Sequence, residues 1–267
     1  MGNDNIYLRD AGALLSGREH DYLKRLFRCT ELAVSNKLNI QITLSDEYFG
    51  GTNPEIGALI VNELQKFDDV LIHLHLDYSK KFGGNHYTEK AFMTIESFLQ
   101  RDVNVIGFCI HPDIVDDFSV FEQLSAHGAY IGVEVLDSSV CFGNRFSEIS
   151  RILEEYGFLD LILDTSHILE MEKWGEPSFD FYVDYFGDKI KEIHVSRPGN
   201  HYEPEQITEM FSTCHSLFST NSRGVSMFSS LKLPENTNYV IEGVIPYGKY
   251  GEGLLRKEVQ ILKAHLP

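Results

Sequence analysis

Basic residues are scarce in this chain. Its 267 residues include 23 Lys and Arg against 40 Asp and Glu, a net charge of −17. A field of that sign repels phosphate polymers and anionic membrane surfaces, so a nucleic-acid partner is not expected. Cysteine is also sparse: Cys29, Cys109, Cys141 and Cys214 stand far apart with no CxxC pair. That spacing offers no disulfide framework, and a reducing, cytoplasmic location is the simple expectation. No apolar run approaches the roughly 18 to 20 residues that span a bilayer, so a membrane partner is not expected. The first ten residues lack the basic stretch and apolar run of a signal peptide. Met1-Gly2 is followed by Ile6 where a myristoylation motif wants Ser or Thr. Internal repeats, low-complexity stretches and linkers are missing as well, so residues 1–267 read as a single domain.

Hydrophobic residues make up 43% of the chain and charged residues 24%, enough for a large core. Short aliphatic runs recur, each followed by a helical pattern. They fall at 5–8, 39–44, 70–76, 103–110, 130–136, 160–164, 190–195 and 239–244. Runs of this kind suit strands buried on both faces. Between them, Ser16 is placed to cap a helix with a Leu23, Leu26, Phe27, Val34 stripe. Asn53-Pro54 is a start signal ahead of Ile56, Leu59, Ile60 and Leu64. Pro204 opens a helix with Ile207, Met210 and Phe211, and the last helix carries Leu254, Leu255, Val259, Ile261 and Leu262. Eight strand–helix alternations in a chain of this length predict a single (β/α)8 TIM barrel, ahead of an open doubly wound sheet. Asp77–Thr88 and Leu169–Ser178 are expected as loops at the C-terminal ends of strands, able to cover a site. The polar segment Ser219–Asn238 is expected as an insertion at the opposite end.

The strand ends carry polar residues that a core would not choose. His73 and His75 lie in the third run, His111 follows the fourth, and Glu134 sits between Val133 and Val135 in the fifth. Asp164 ends the sixth with His167 after it, His194 lies in the seventh with His201 beyond, and Glu242 sits in the eighth. A lone strand histidine is more often a hydrogen-bonded core residue than a ligand, and His73, deeper in its strand, is read that way. The carboxylates are harder to dismiss. Period-2 geometry turns Glu134 and Glu242 away from their apolar neighbours, into the barrel. A buried carboxylate must be paired, protonated or metal-bound, and few basic residues fall at these strand ends, Arg197 being the main exception. A divalent ion is the economical answer, and mixed histidine and carboxylate shells suit zinc, manganese, iron or cobalt.

The order of these residues resembles the xylose-isomerase-like barrel superfamily, which includes sugar isomerases and epimerases and endonuclease IV. The resemblance runs from about residue 39 to 245. It rests on Asn39-Ile-Gln-Ile-Thr-Leu44, His75-Leu-Asp-Tyr78, His111-Pro112, Glu134, Ile193-His-Val195 and Ile241-Glu-Gly243. Its most specific piece is Leu163-Asp-Thr-Ser-His167, which matches an Asp-Thr-x-His motif. The resemblance implies a shared metal site at Glu134, Asp164, His194 and Glu242, and a second at His75, His111 and Glu134. His167 and His201 would be ligands of a third, so that one to three ions are implied. There the chain departs from the pattern, reading Gly199-Asn-His201 where the nuclease has Asp-x-His, and His167 is then left to face substrate.

Four functions compete. The leading expectation is an isomerase or epimerase of a small polyhydroxy substrate, with Glu134 and Glu242 exchanging protons on either side of an enediolate and His167 assisting. A two-metal phosphodiester hydrolase is next, followed by a multinuclear iron oxidase and a non-catalytic binding barrel; fold membership alone does not select among them. Trp174 and Arg197 are candidates for substrate contact. For Trp174 the alternative is a packed loop anchor, and Lys80, Lys81 and Arg197 are more often solvated charges. A homo-oligomer is compatible with the sequence.

Overall fold

The computed structural model describes residues 5–10, 22–45, 54–76, 79–199, 201–202, 215–220 and 233–265. The aliphatic runs form eight parallel strands: β1 (Ile6–Arg9), β2 (Asn39–Ser45), β3 (Val70–His75), β4 (Val105–Ile110), β5 (Tyr130–Glu134), β6 (Asp160–Asp164), β7 (Ile190–Val195) and β8 (Asn238–Ile241). They neighbour one another in chain order and close into a barrel. Closure is made where Ile6, Tyr7 and Leu8 pair with Tyr239, Val240 and Ile241, so no sheet edge is left unpaired.

Among the described residues the helices are α1 (Tyr22–Asn36), α2 (Pro54–Leu64), α3 (His86–Leu99), α4 (Glu122–Ser125), α5 (Phe146–Glu155), α6 (Thr165–Met171), α7 (Phe179–Phe186) and α8 (Lys249–His265). The strand side chains divide by parity. Ile40, Ile42, Leu44, Val70, Ile72, Leu74, Ile131 and Val133 face outward and join one apolar layer with helix residues such as Leu26, Ile60, Ile95 and Leu255. Their alternates face the barrel interior.

Several expectations need correction. The buried face of α1 is Tyr22, Leu26, Cys29, Leu32 and Ala33, whereas Phe27 and Val34 are exposed. A stripe of large apolar residues misplaces this face because small Cys29 and Ala33 are the ones that fit against the barrel. The expected 77–88 loop stops at Asn85, whose side chain accepts from the backbone N–H of Tyr87 and Thr88 and starts α3 at His86. The expected 169–178 loop is largely helical, with α6 followed by a 3₁₀ turn over Glu172–Trp174. Ser16, Asn53, the Pro204 helix with Ile207, Met210 and Phe211, Cys214 and most of the Ser219–Asn238 insertion lie outside the described residues.

Candidate metal centre

The barrel interior is layered. At the N-terminal end Tyr7, Leu71 and Val240 pack with Ile106 and Tyr130 into a small apolar plug. Two residues further along β1, β3 and β8 the character changes to polar, at Arg9, His73 and Glu242. Gln41, His73, Cys109 and Glu192 are buried in the middle. Arg9, Thr43, His75, Glu134, Asp164, His194 and Glu242 stand at or near the C-terminal ends. The step from Val240 to Glu242, or from Tyr7 to Arg9, is one period of the strand.

Four of these side chains converge. Glu134, Asp164, His194 and Glu242 each bring one ligand atom to within 4.8 Å of the other three. His194 Nδ1 lies 3.3 Å from Glu134 Oε1, 3.2 Å from Glu242 Oε2 and 4.0 Å from Asp164 Oδ2. Every one of these four atoms is buried without a hydrogen-bond partner. The other polar atom of each residue is tied. Glu134 Oε2 accepts from the Cys109 thiol at 3.0 Å. Asp164 Oδ1 accepts from the N–H of Ser166 and His167 at 2.6 and 3.0 Å, capping α6. Glu242 Oε1 takes the Arg9 guanidinium, and His194 Nε2 donates to Glu192 Oε1 at 2.5 Å. Three carboxylate oxygens and one imidazole nitrogen, oriented by their other atoms and left bare toward one point, fit a divalent cation.

Flanking histidines extend the cluster on two sides. His111 Nε2 is 3.3 Å from Glu134 Oε2, and the His75 and His111 rings are 6.0 Å apart, so this trio is more open than the central four. On the other side Asp164, His167 and His215 form a second close group. His167 Nδ1 donates to the Val135 carbonyl at 2.9 Å, which leaves Nε2 for the cavity. Ser166 Oγ donates to Asp164 Oδ1 and lies 3.0 Å from His215 Nδ1, with Ser196 Oγ at 2.8 Å. The hydroxyl of Ser166 is thereby an acceptor for a His215 Nδ1–H, and Nε2 of His215 is bare.

Electrostatics follow from burial and this crowding. Burial opposes charge on Glu134, but His194 and His111 outweigh it and hold the carboxyl well below its usual range. Burial likewise opposes Asp164, and His167 and His215 prevail to lower it. For His194 the same competition ends with a value near 10, raised chiefly by Glu134, so a cation at Nδ1 would displace the proton held there. His167 is raised by Asp164 and Glu134 against its burial. His215 is held neutral, near 4, by burial. Burial and the carboxylates of Glu134 and Glu192 drive the Cys109 thiol well up.

The structure brings His75, His111 and His167 to the central four but does not bring His201. His201 Nε2 turns to the Pro198 carbonyl at 3.1 Å, and its place beside His167 is taken by His215. Trp174 is 74% exposed on the 3₁₀ turn and lines no part of the cavity. Arg197 bridges to Ser216 through its backbone, and its guanidinium stands 6.0 Å over the Phe218 ring. Sequence reasoning misses His215, Arg9, Glu192 and Cys109. Arg9 is hidden because the expected first strand ends at Leu8. Glu192 carries a visible signal, since it precedes His194 by two and must share its face. His73 is buried, as a core histidine should be; Arg9 donates to its Nδ1, so Nε2 carries the proton and offers no lone pair. A cavity of about 420 Å3 opens above the cluster, lined by Arg9, His75, His111, Asp137, His167 and His215 among others.

No protein-family model matches the chain, and no curated protein does. Solved structures do. "SacUVDE" superposes with a TM-score of 0.57 at 12% identity, over 97% of this chain and 98% of that one. The xylose isomerase domain protein from Planctomyces limnophilus gives 0.55 at 10% identity, over 98% and 94%. The TTHB071 protein from Thermus thermophilus, solved after soaking with ZnCl2, gives 0.51 at 11% identity over 97% and 98%. In this closed eight-stranded barrel the C-terminal strand ends form the mouth where the bare ligand atoms gather. No described helix is long and apolar enough to cross a membrane.

Proposed function

We propose that the chain is a metal-dependent hydrolase of a small, oxygen-rich substrate, a phosphoester before others. The observation that carries this reading is the division of labour within each ligand, one atom tied and one bare. Glu134, Asp164, His194 and Glu242 would hold a divalent ion such as zinc, manganese, iron or cobalt, with His75 and His111 on one side and His167 and His215 on the other for further ions. A divalent ion there supplies Lewis-acid activation of water and offsets developing negative charge.

The tied atoms argue against the enediolate route. Proton exchange on both faces of a substrate needs the second oxygens of Glu134 and Glu242 as bases. Glu134 Oε2 is taken by Cys109 and Glu242 Oε1 by Arg9. Hydrolysis asks for neither. His167, with Nδ1 fixed on Val135 and its affinity for protons raised, can hold a proton at Nε2 for a leaving oxygen when a single ion is bound. With two or three ions it is a ligand instead. A cavity of about 420 Å3 suits a small molecule, and the charge of −17 disfavours a nucleic-acid polymer.

The test is to load the protein with each metal and assay phosphomonoesters and small diesters, beside keto-sugars in deuterated water. Ester hydrolysis that vanishes in Glu134→Gln is expected. Deuterium entering a sugar carbon, with no ester cleaved under any metal, would overturn the hydrolase and restore the isomerase.

A further inference from the structure

Glu192 takes no part in the convergent set, yet it is fully buried in the barrel interior, one strand period below His194. A buried carboxylate needs donors on both oxygens, and Glu192 has them. Its Oε1 accepts from Gln41 Nε2 at 2.6 Å and from His194 Nε2 at 2.5 Å. Its Oε2 accepts from the Tyr130 hydroxyl at 2.6 Å. The direction of that last bond is fixed, because Asn238 Nδ2 donates to the same hydroxyl at 3.2 Å and leaves the Tyr130 proton for Glu192. Donors therefore surround the carboxylate, and the imidazole beside it must present N–H at Nε2.

We propose that Glu192 is a positioning residue that fixes the tautomer and ring orientation of His194, so that Nδ1 carries the lone pair offered to a divalent ion. A neutral imidazole has one protonated and one bare nitrogen, and the partner of one decides the fate of the other. His73 shows the opposite setting in the same barrel. There the partner is Arg9, which only donates, so Nδ1 accepts and Nε2 is the protonated nitrogen. The two interior histidines thus differ as ligands through their neighbours alone. A carboxylate partner also makes the ring a stronger donor to a cation, an effect that outer partners of ligating histidines commonly supply.

The inference rests on the convergent set being a metal site, and the experiment separates the two. Zinc affinity is measured by competition with a chelating dye for the intact protein, Glu192→Gln and Glu192→Ala. The histidine nitrogens of the zinc-loaded, 15N-labelled proteins are read by NMR. In the unaltered protein His194 is expected to show a strongly hydrogen-bonded Nε2–H and a zinc-bound Nδ1. Glu192→Ala is expected to weaken zinc about 10- to 100-fold, and Glu192→Gln, whose amide oxygen still accepts, to recover part of it with a weaker Nε2–H hydrogen bond. Affinity and His194 nitrogen signals unchanged in Glu192→Ala would overturn the proposal. So would equal losses in both variants, which would mean a packing role only. If Glu192→Ala does not fold, an unshifted Nε2–H signal in Glu192→Gln overturns it. Failure of the unaltered protein to bind any divalent ion would instead overturn the proposed metal site.

Discussion

Each side chain of the convergent set has two polar atoms with different duties, and that makes its substitutions predictable. Glu134→Gln keeps volume but puts an amide where a carboxylate oxygen faces three other ligand atoms. Loss of bound metal and of activity is expected, with the far-UV circular dichroism unchanged; retention of both metal and activity would remove Glu134 from the site. His215→Ala and His201→Ala separate the two candidates for the flanking position. Metal content by elemental analysis should fall by up to one ion per chain for His215→Ala and stay constant for His201→Ala. Glu134, Asp164 and His194 were legible in the sequence because each interrupts or ends an aliphatic strand, and His167 because it follows Asp164 by three residues. His215 was not, because it follows a long connection, and nothing local distinguishes it from His201. Only the Ser166 and Ser196 hydroxyls, brought together by the fold, mark its Nδ1.

At the scale of elements, the strands were legible and the helix faces less so. A strand buried on both sides has to be aliphatic over its whole outward face, so all eight runs stand out. A helix packed on a barrel chooses its contact by fit, and α1 uses Cys29 and Ala33 at its closest approach. Two elements carry predictions of their own. On α8, Glu258 is buried and accepts from the N–H of Phe218 and Ser219 at 3.0 and 2.6 Å, anchoring the turn that follows His215. Burial is the main cause that lifts its carboxyl to about 7, above the 4.5 of a free side chain. The folded state thus binds this proton more tightly than the unfolded state. The contribution is complete below about pH 4.5 and is lost as pH rises through 7. At about 1.4 kcal/mol per pH unit the full loss is about 3–4 kcal/mol. Denaturant midpoints at pH 5 and pH 8 should therefore differ less in Glu258→Gln than in the unaltered protein; an undiminished difference would remove Glu258 as the cause. On β4, Gly107 lies against the Tyr130 ring, leaving no room for a Cβ. Gly107→Ala should cost about 1–3 kcal/mol by overpacking and, by displacing Tyr130 from Glu192, should also weaken metal binding. Unaltered stability would show that the ring has room to move.

For the molecule as a whole, the charge of −17 acts on whatever approaches the mouth. An anionic ester must enter against that field, and salt shortens its reach to about 8 Å at physiological ionic strength. The kcat/KM for an anionic ester should therefore rise from low salt to physiological salt, while that for a neutral ester stays level; a fall for the anion would mean that the mouth itself is positive. The field belongs to the composition and was legible at once, whereas the sign of the mouth depends on Arg9 and on bound ions. The apolar plug of Tyr7, Leu71, Val240, Ile106 and Tyr130 has a further consequence. Among the described residues it stops the N-terminal end of the barrel, so the cluster is approached from the mouth. Ions and substrate have to queue at the same door, and the ion, seated deeper, must enter first and leave last. A bound product would then act as a stopper, slowing the escape of metal to a chelator without ever touching the outer surface of the barrel.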